Sequence, residues 1–503
     1  MSISTPDWVK NAVFYQIFPD RFSRGYALKP PISKAWEPWL DPPTSQGYKG
    51  GTLWGVIEQL DYLVNLGITA LYLTPIFQSA CNHRYHTHDY YQIDPLLGGN
   101  EAFQALLRAA HQRQIKLVLD GVFNHASRGF FQFHDILENG PYSPWLDWFK
   151  IEGWPLAAYQ GERPANYLSW AENRALPQFN HAHPQVREYL MQVAEYWIKQ
   201  GIDGWRLDVP DQIQVPGFWQ EFRDRIKALN PDAYIVGEIW GNAQEWLAGD
   251  QFDGVMNYPF TAATIAFVAG DHLDPQQVSP ALHRAYKPLT AQAYGLRMQT
   301  LLEQYPWHIQ LTQLNLLASH DTARLLTIAQ GDRASVELAT LLLMTFPGAP
   351  CIYYGDEVGL PGGLDPDCRR GFPPQANWDL GLAAVHQQLI SLRHRFAALR
   401  IGQYQVLAAG EDLYLFCRYC EDQGLIIAVN KSNQQITTSL ELDTESLPWL
   451  WNSEQASLLY GTGTLETSPA TGCPLTIQLP PRQGSIWGPY TVNATAVLQG
   501  SKL

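Results

Sequence analysis

Residues 116–125 read KLVLDGVFNH, a short apolar run that ends in the polar residues Asp120 and His125. Similar runs alternate with amphipathic helical stretches from about residue 11 to residue 400, the pattern of βαβ units that build a parallel sheet. The predicted strands are 12–18, 68–75, 116–123, 204–209, 234–239, 254–258, 316–320 and 350–354. Eight such strands predict an α/β fold, a (β/α)8 TIM barrel.

Segments between the predicted strands carry apolar residues at helical spacing. One set precedes the second strand and comprises Leu53, Ile57, Leu60 and Val64. Further sets lie within 186–197 and 385–396. Each set predicts a helix that covers the outside of the barrel.

The predicted domains follow from breaks in this pattern. Residues 126–180 are too many for an ordinary connection and predict a small inserted subdomain that overhangs the barrel mouth. Period-two runs at 413–419 and 425–429 predict a C-terminal antiparallel β-sandwich domain. The predicted boundaries are 1–125 and 181–400 for the barrel, 126–180 for the subdomain, 401–490 for the β domain and 491–503 for a tail.

Composition narrows the class of ligand. The chain of 503 residues has 34 Lys and Arg against 48 Asp and Glu, a formal net charge of -14. This balance disfavours nucleic acid and anionic membranes as partners. Only 16% of the residues are charged, whereas 18 Trp, 25 Tyr and 20 Phe offer apolar faces with polar edges. Such faces suit neutral polyhydroxylated ligands such as sugars.

The two ends of the chain bear on its location. MSISTPDWVK has no apolar stretch behind a basic segment, which predicts no secretory signal and a cytoplasmic location. The last residues, Ser501-Lys502-Leu503, also spell a peroxisomal address, and this alternative stays open. The six cysteines are scattered, which predicts reduced structural thiols and no metal site.

Acidic residues and histidines recur where the predicted strands end. They are Asp120, His125, Asp208, Glu238, His320 and Asp321. The carboxyl ends of all barrel strands face one opening, so these residues are expected to converge there. Three carboxylates can perform acetal chemistry, in which one attacks the anomeric carbon, one protonates the departing oxygen and one holds the ring hydroxyls.

DGVFNH (120–125), GWRLDV (204–209), GEIW (237–240) and SHD (319–321) resemble, in order, four signature blocks of the α-amylase family of glycoside hydrolases. Within that family, VFYQIFPDRF (13–22) and the stretch 237–260 are most similar to the cyclomaltodextrinase, neopullulanase and maltogenic amylase branch. The resemblance implies that Asp208 is the nucleophile, Glu238 the general acid/base and Asp321 the transition-state stabiliser. It also implies that Glu238 needs burial to stay protonated near neutral pH.

The same resemblance implies a set of substrate-binding residues. Arg206 is expected to hold Asp208 ionised, and Tyr85 is expected to stack on the sugar being cleaved. The histidines are expected to donate to sugar hydroxyls. Trp240 and Tyr258 are expected to contact the leaving group. The set is Arg206, His125, His320, His83, Tyr85, Asp120, Trp240 and Tyr258. For Trp240 and Tyr258, ordinary packing is an equal alternative.

The sequence departs from the branch at three places. Only about six residues precede DWVKNAVFYQ, where the branch carries a β domain, so we expect an open site, no dimer through that domain and an undecided oligomeric state. YALKPPISKAW (26–36) lacks a cluster of oxygen donors, so no calcium and no cofactor are expected. The nucleophile is followed by Val209-Pro210-Asp211-Gln212 instead of Val-Ala-Asn-Glu, and Val209 is the residue type of relatives that cut α-1,6 bonds.

The sequence therefore predicts a retaining hydrolase of α-glucans, which include maltooligosaccharides, cyclodextrins, pullulan and branched oligosaccharides. It is expected to cleave α-1,4 and α-1,6 bonds through a covalent glycosyl-enzyme on Asp208. Aromatic residues of the inserted subdomain either line the cleft or pack the subdomain, and they are Trp145, Trp148, Trp154, Tyr159, Tyr167 and Trp170. A transglycosylase or isomerase of small α-glucosides and a non-catalytic sugar-binding barrel are the alternatives.

Overall fold

The computed structural model describes residues 5–25, 35–159, 161, 163–278, 286–421, 423–441, 457–467 and 474–490. Two compact units divide the chain. The first is built mainly on Phe14–Met256 and includes Arg369–Phe372, and the second comprises most of the residues from Asn257 onward and includes Val9–Val13. Residues 26–34, which make up most of the stretch expected not to bind calcium, and the tail 491–503 lie outside the described residues.

Six parallel strands form the sheet of the first unit. The strands of this unit are β1 (Phe14–Ile17), β2 (Ala70–Leu73), β3 (Phe77–Ser79), β4 (Thr87–Ile93), β5 (Lys116–Gly121), β6 (Gly204–Leu207), β7 (Tyr234–Gly237) and β8 (Gly254–Val255). The parallel strands follow one another in the order β8, β7, β6, β5, β2, β1, whereas β3 and β4 make a separate antiparallel hairpin.

Helices connect these strands. Up to residue 256 they are α1 (Asp7–Asn11), α2 (Pro19–Phe22), α3 (Leu53–Glu58), α4 (Leu60–Leu66), α5 (Gly99–Gln112), α6 (Phe131–Asn139), α7 (Pro184–Gln200) and α8 (Phe218–Leu229). Along α7, the predicted core positions Val186, Leu190, Val193 and Trp197 are all buried. The helical period predicted there is confirmed.

The second unit supplies two more parallel strands, β9 (Leu314–Leu316) and β10 (Ala349–Tyr353). Its helices are α9 (Tyr258–Ala269), α10 (Ala291–Glu303), α11 (Trp307–Gln310), α12 (Leu325–Ile328), α13 (Arg333–Thr345), α14 (Leu380–Arg395) and α15 (Ala397–Ile401). Among the described residues, no helix is long and apolar enough to cross a membrane.

Two antiparallel sheets follow α15 in the second unit. Their strands are β11 (Gln403–Ala409), β12 (Leu413–Tyr419), β13 (Gly424–Asn430), β14 (Ile436–Glu441), β15 (Ser457–Tyr460), β16 (Thr464–Thr467), β17 (Pro474–Leu479) and β18 (Gln483–Tyr490). One sheet has the order β11, β12, β13, β18, β15 and the other β14, β17, β16. Leu415 and Ile426 of the first sheet pack with Leu475 and Ile477 of the second in one buried cluster, which confirms the predicted β-sandwich.

The predicted strands are found, but two of them are shorter or shifted, and one predicted helix is broken. The strand predicted at 254–258 is β8, which ends at Val255, and Tyr258 begins α9. The strand predicted at 316–320 is β9, which ends at Leu316 because the backbone N–H of Ser319 donates to Oγ1 of Thr322 and turns the chain. The helix predicted from Leu53 to Val64 is interrupted at Gln59, where α3 ends and α4 begins. This interruption leaves Val64 42% exposed, so its predicted place in the core is wrong.

Candidate active site

Arg206 lies at the centre of a group of carboxylates in the first unit. Its side chain is buried, and its Nη1 lies 2.9 and 3.0 Å from the two carboxyl oxygens of Asp120. The same nitrogen lies 3.0 Å from Oδ1 of Asp208, and Nη2 lies 2.9 Å from Oε1 of Glu238. One guanidinium therefore brings the predicted nucleophile and the predicted acid/base together.

The register of the parallel sheet accounts for this arrangement. β5 and β6 pair so that Asp120 stands opposite Arg206. Arg206 and Asp208 are two positions apart and therefore share a face of the sheet. The backbone N–H of Glu238 donates to the carbonyl of Leu207 at 3.0 Å, which sets Glu238 beside Asp208. The strand-end pattern in the sequence thus predicted these neighbours correctly.

Two tyrosine hydroxyls donate to Oδ2 of Asp120, Tyr85 at 2.8 Å and Tyr72 at 2.9 Å. Burial raises the pKa of Asp120 above its ordinary value, although Arg206 and both hydroxyls lower it. Burial lowers the pKa of Arg206, but Asp120 and Glu238 raise it, and the pKa ends well above its ordinary value. The guanidinium therefore stays charged and attracts the carboxylate of Asp208.

Glu238 is 4% exposed, which agrees with the burial expected of an acid/base. Its Oε2 accepts a hydrogen bond of 3.2 Å from the backbone N–H of Val209, and its Oε1 accepts one of 3.3 Å from Nε1–H of Trp240. Trp240 thus contacts the acid/base directly, and a contact with the leaving group stays a prediction. Val209 has φ 36° and ψ 52°, a left-handed conformation that is an outlier for a β-branched residue.

His125 is 1% exposed and follows β5, the strand that carries Asp120. Nδ2 of Asn124 lies 3.3 Å from its Nδ1, which leaves the ring proton on Nε2 when the amide donates. Burial, with His86 and His181, lowers the pKa of His125 to about 3 although the backbone of Tyr85 raises it, so the ring is neutral at neutral pH. Within the described part of the chain, Nε2 has no hydrogen-bond partner.

Trp170 of the predicted subdomain stacks on the His125 ring, with centroids 5.4 Å apart and an interplanar angle of 27°. Trp148 and Tyr167 are 5% and 3% exposed and pack the subdomain, whereas Trp154 and Tyr159 are 41% and 64% exposed. Packing therefore accounts for Trp148 and Tyr167, whereas a place in the cleft stays a prediction for the others.

The β3–β4 hairpin carries His83 and Tyr85. Their rings lie 5.7 Å apart, and Nδ1 of His83 accepts a hydrogen bond of 3.2 Å from the backbone N–H of Tyr85. Cys81 and His86 lie next to His83, and one ligand atom from each of the three residues lies within 4.8 Å of the others. Burial, with Arg128 and His88, lowers the pKa of His86 to about 4.

The second unit carries Asp321, His320 and Tyr258. Nε2 of His320 lies 3.2 Å from Oδ2 of Asp321, whose side chain is 31% exposed. The backbone N–H of Asp321 donates to Oγ of Ser319, and the hydroxyl of Tyr258 lies 3.3 Å from the same Oγ. Tyr258 thus supports the loop that holds Asp321, whereas its contact with sugar, and the meeting of Asp321 with Asp208, stay predictions.

Three features of the first unit were not predicted from the sequence. They are the Tyr72 hydroxyl on Asp120, the backbone donor of Val209 and the grouping of Cys81 with His83 and His86. A tyrosine inside the apolar run ALYL (70–73) is the signal for Tyr72. No local signal marks Val209, because β-branched residues disfavour the conformation it adopts.

Parallel strands that hold paired carboxylates at their carboxyl ends define the class of barrel glycoside hydrolases. Residues 16–379 match the family model described as "Alpha amylase, catalytic domain". The chain belongs to the α-amylase family, and its predicted (β/α)8 barrel and glycosidase activity are confirmed.

Relatives of known name are similar over most of the chain. A cyclomaltodextrinase of Geobacillus thermopakistaniensis is 43% identical over 455 residues, which are 89% of this chain and 73% of that protein. Neopullulanase 2 of Thermoactinomyces vulgaris is 43% identical over 453 residues, 89% of this chain and 74% of that protein. The native structure of the Nostoc punctiforme debranching enzyme has a TM-score of 0.90 and 62% identity, and the match covers 97% of this chain and 100% of that one.

Proposed function

We propose that this glycoside hydrolase cleaves both α-1,4 and α-1,6 bonds of α-glucans with retention of configuration. The observation that carries the proposal is the contact of one buried guanidinium, Arg206, with both Asp208 and Glu238 at 3.0 and 2.9 Å. Carboxyl groups about 5 Å apart belong to retaining enzymes, and wider pairs leave room for a water and invert. Because Asp208 and Glu238 contact the same guanidinium, the close spacing of a retaining enzyme is favoured.

The first step forms a glycosyl-enzyme. Oδ of Asp208 attacks the anomeric carbon while the bond from that carbon to the bridging oxygen breaks, and Glu238 gives its proton to the departing oxygen. Arg206 keeps Asp208 ionised for the attack. Asp321 is assigned to the ring hydroxyls, where it favours the distorted ring of the transition state.

The second step uses Glu238 as a base. Its carboxylate takes a proton from water, the water oxygen bonds to the anomeric carbon, and the bond to Asp208 breaks. The donors from Val209 and Trp240 hold the deprotonated Glu238 in place between the steps. Both donors are fixed before substrate arrives, which reduces the cost of reorganisation.

His125 supports a sugar-binding role. Its buried Nε2 has no hydrogen-bond partner in the described ranges, and such a buried donor is costly unless a ligand accepts from it. A sugar hydroxyl is a suitable acceptor. His83, His320 and Tyr85 are proposed to bind the same ring as two donors and a stacking face.

Substrate shape is inferred from two observations. A debranching enzyme of Nostoc punctiforme is 62% identical over 97% of this chain, and its name describes removal of branches. Val209, the residue type associated here with α-1,6 cleavage, directly follows the proposed nucleophile. The substrate is therefore proposed to be a short branched or linear α-glucan. A cytoplasmic location and the domain boundaries given above remain parts of this proposal.

Product analysis tests the function directly. The enzyme is incubated separately with linear maltooligosaccharides, cyclodextrins, pullulan and a maltooligosaccharide with one α-1,6 side chain, and fresh products are followed by proton NMR. We expect the α anomer first and side-chain release with a kcat/KM comparable to that of linear cleavage. The β anomer first would contradict retention, and cleavage of linear chains alone would leave a plain α-1,4 hydrolase. Products longer than the substrate would indicate transfer.

A further inference from the structure

Cys81, His83 and His86 lie together in the turn of the β3–β4 hairpin. Sγ of Cys81 lies 3.5 Å from Nδ1 of His83, and the rings of His83 and His86 are 5.1 Å apart. One ligand atom from each side chain lies within 4.8 Å of the other two. All three residues are half-buried, so water and ions reach them.

We propose that Cys81, His83 and His86 bind one borderline-soft divalent cation, of which Zn²⁺ is the best fit. Zinc takes thiolate and imidazole ligands at about 2.3 and 2.0–2.1 Å, so a tetrahedral site separates its sulfur and nitrogen ligands by about 3.6 Å. The 3.5 Å between Cys81 and His83 matches this separation. Three protein ligands leave the fourth position to water, and binding releases the thiol proton of Cys81.

The hairpin holds the three ligands in place before a cation arrives. Oγ of Ser79 donates to the carbonyl of His86 at 2.7 Å and accepts from the backbone N–H of Cys81 at 3.3 Å. This serine therefore ties the residues at the two ends of the cluster. To bind an ion, the ligand atoms move closer than their present 4.8 Å limit, and Nδ1 of His83 exchanges the N–H of Tyr85 for the cation.

The residues between the ligands point into the protein. Asn82, 3% exposed, donates from Nδ2 to the carbonyl of Gly47 at 2.7 Å. Arg84, 2% exposed and at φ 60°, donates from Nε to Asp94 at 3.1 Å. Because these side chains anchor the turn from inside, Cys81 and His83 are directed to the same outer side.

Zinc at this site is expected to inhibit the enzyme, and this consequence rests on the proposed function. His83 is assigned there to a sugar hydroxyl, and its Nδ1 accepts from the backbone of Tyr85 at 3.2 Å. A cation on Nδ1 of His83 displaces the backbone N–H of Tyr85 from that nitrogen and so shifts both the imidazole and the tyrosine that the proposed function places against the sugar. Inhibition should therefore appear chiefly as a higher KM, because binding of the sugar is lost while Asp208 and Glu238 are untouched.

Cobalt titration of the full chain tests the site, because Co²⁺ occupies zinc sites and a thiolate ligand gives it a charge-transfer absorption. We expect one equivalent of Co²⁺, displaced by Zn²⁺, with that absorption. Cys81→Ser should abolish it, and His86→Gln should weaken Zn²⁺ binding about tenfold or more. Cys420→Ser, a half-buried cysteine of the β domain, is the matched control and should bind as the unchanged enzyme does.

Absence of cobalt uptake, or absorption that survives Cys81→Ser, would overturn the metal site. Activity assays with added Zn²⁺ separate the two parts of the inference. Zinc should raise the KM of the unchanged enzyme and not that of Cys81→Ser. Zinc that binds without raising the KM would contradict the predicted inhibition but not the metal site. An enzyme inactive on every α-glucan would contradict the proposed function, while the cobalt spectrum would still decide the site.

Discussion

The backbone N–H of Val209 donates a hydrogen bond of 3.2 Å to Oε2 of Glu238. The residue after the proposed nucleophile thus holds the proposed acid/base through its main chain. Val209 does so at φ 36° and ψ 52°, a conformation that costs a β-branched residue about 1–3 kcal/mol. Contacts of the surrounding structure offset that cost. The strained residue directly follows Asp208 and donates to Glu238, so it connects the two proposed catalytic groups.

Because of this strain, glycine at position 209 is expected to give a more stable protein than alanine, the reverse of the usual order. Val209→Gly and Val209→Ala both remove the isopropyl group and keep the N–H, but only glycine adopts a positive φ without steric cost. We expect the glycine variant to have a free energy of unfolding higher than the alanine variant by about 1 kcal/mol. Urea unfolding measures the difference. An alanine variant of equal or greater stability would show that the conformation is unstrained.

Arg206 is expected to govern the pH dependence of catalysis. Arg206→Lys keeps a positive charge, but one ammonium cannot contact Asp120, Asp208 and Glu238 together as the guanidinium does. The kcat should fall about a hundredfold, because the reacting carboxyl groups lose their alignment. The acidic limb of the kcat/KM profile should also move to higher pH, because a weaker contact favours ionised Asp208 less.

A buried ion pair away from these carboxylates provides the control. Arg223 contacts Asp253 at 2.8 Å in the same unit. Arg223→Lys should alter the free energy of unfolding and leave the acidic limb where it was. Equal shifts of the pH profile in both lysine variants would show that the shift comes from a general loosening of this unit and not from the contacts of Arg206.

The three proposed catalytic acids should be indispensable for turnover and dispensable for folding. Asp208→Ala, Glu238→Gln and Asp321→Asn should each lower kcat by several orders of magnitude, because each contact is made chiefly in the transition state. Thermal unfolding of each variant should stay within a few degrees of the unchanged enzyme. Near-native turnover in Asp208→Ala would refute its assignment as nucleophile.

The sequence predicted those residues whose placement follows from period and strand direction. Asp120, Arg206, Asp208 and Glu238 all lie at strand ends, so parallel pairing brings them together without further information. The sequence did not predict features set by single backbone conformations. Val209 is one case, because nothing in a valine indicates a positive φ.

Two other differences have similar causes. Cys81 and His86 become neighbours only because the hairpin turns through Arg84 at φ 60°, and their spacing alone fits other structures as well. Val64 continues the apolar spacing of the preceding helix, but the break at Gln59 rotates the next turn and buries Leu63 instead. Apolar spacing that is extended across a helix break therefore predicts the wrong buried face.

His386 predicts a specific acid sensitivity of the fold. Burial lowers its pKa to about 4, and its Nδ1 lies 2.9 Å from the carbonyl of Leu382. Below the unfolded value of about 6.5, the unfolded chain binds a proton that the folded ring refuses until about pH 4. This residue should therefore reduce the free energy of unfolding by about 1.4 kcal/mol for each pH unit across that window.

Urea unfolding between pH 7 and pH 4 checks the contribution of His386. His386→Gln should make the dependence shallower by about 1.4 kcal/mol per pH unit, whatever its effect at pH 7. His272→Gln, at an exposed position, is the control and should leave the slope unchanged. An unchanged slope in His386→Gln would show that this ring is protonated in the folded state.

Trp170 stacks on His125, with ring centroids 5.4 Å apart. If the indole holds the imidazole for a sugar hydroxyl, Trp170→Ala should lower kcat/KM about fivefold, mainly through KM, because such a stack is worth about 1 kcal/mol. Trp154→Ala, which removes a 41% exposed indole of the same subdomain, should have little effect. The double variant His125→Ala with Trp170→Ala should be no worse than His125→Ala alone, because Trp170 then has nothing to position. Additive losses in that cycle would instead place Trp170 in direct contact with the glucan.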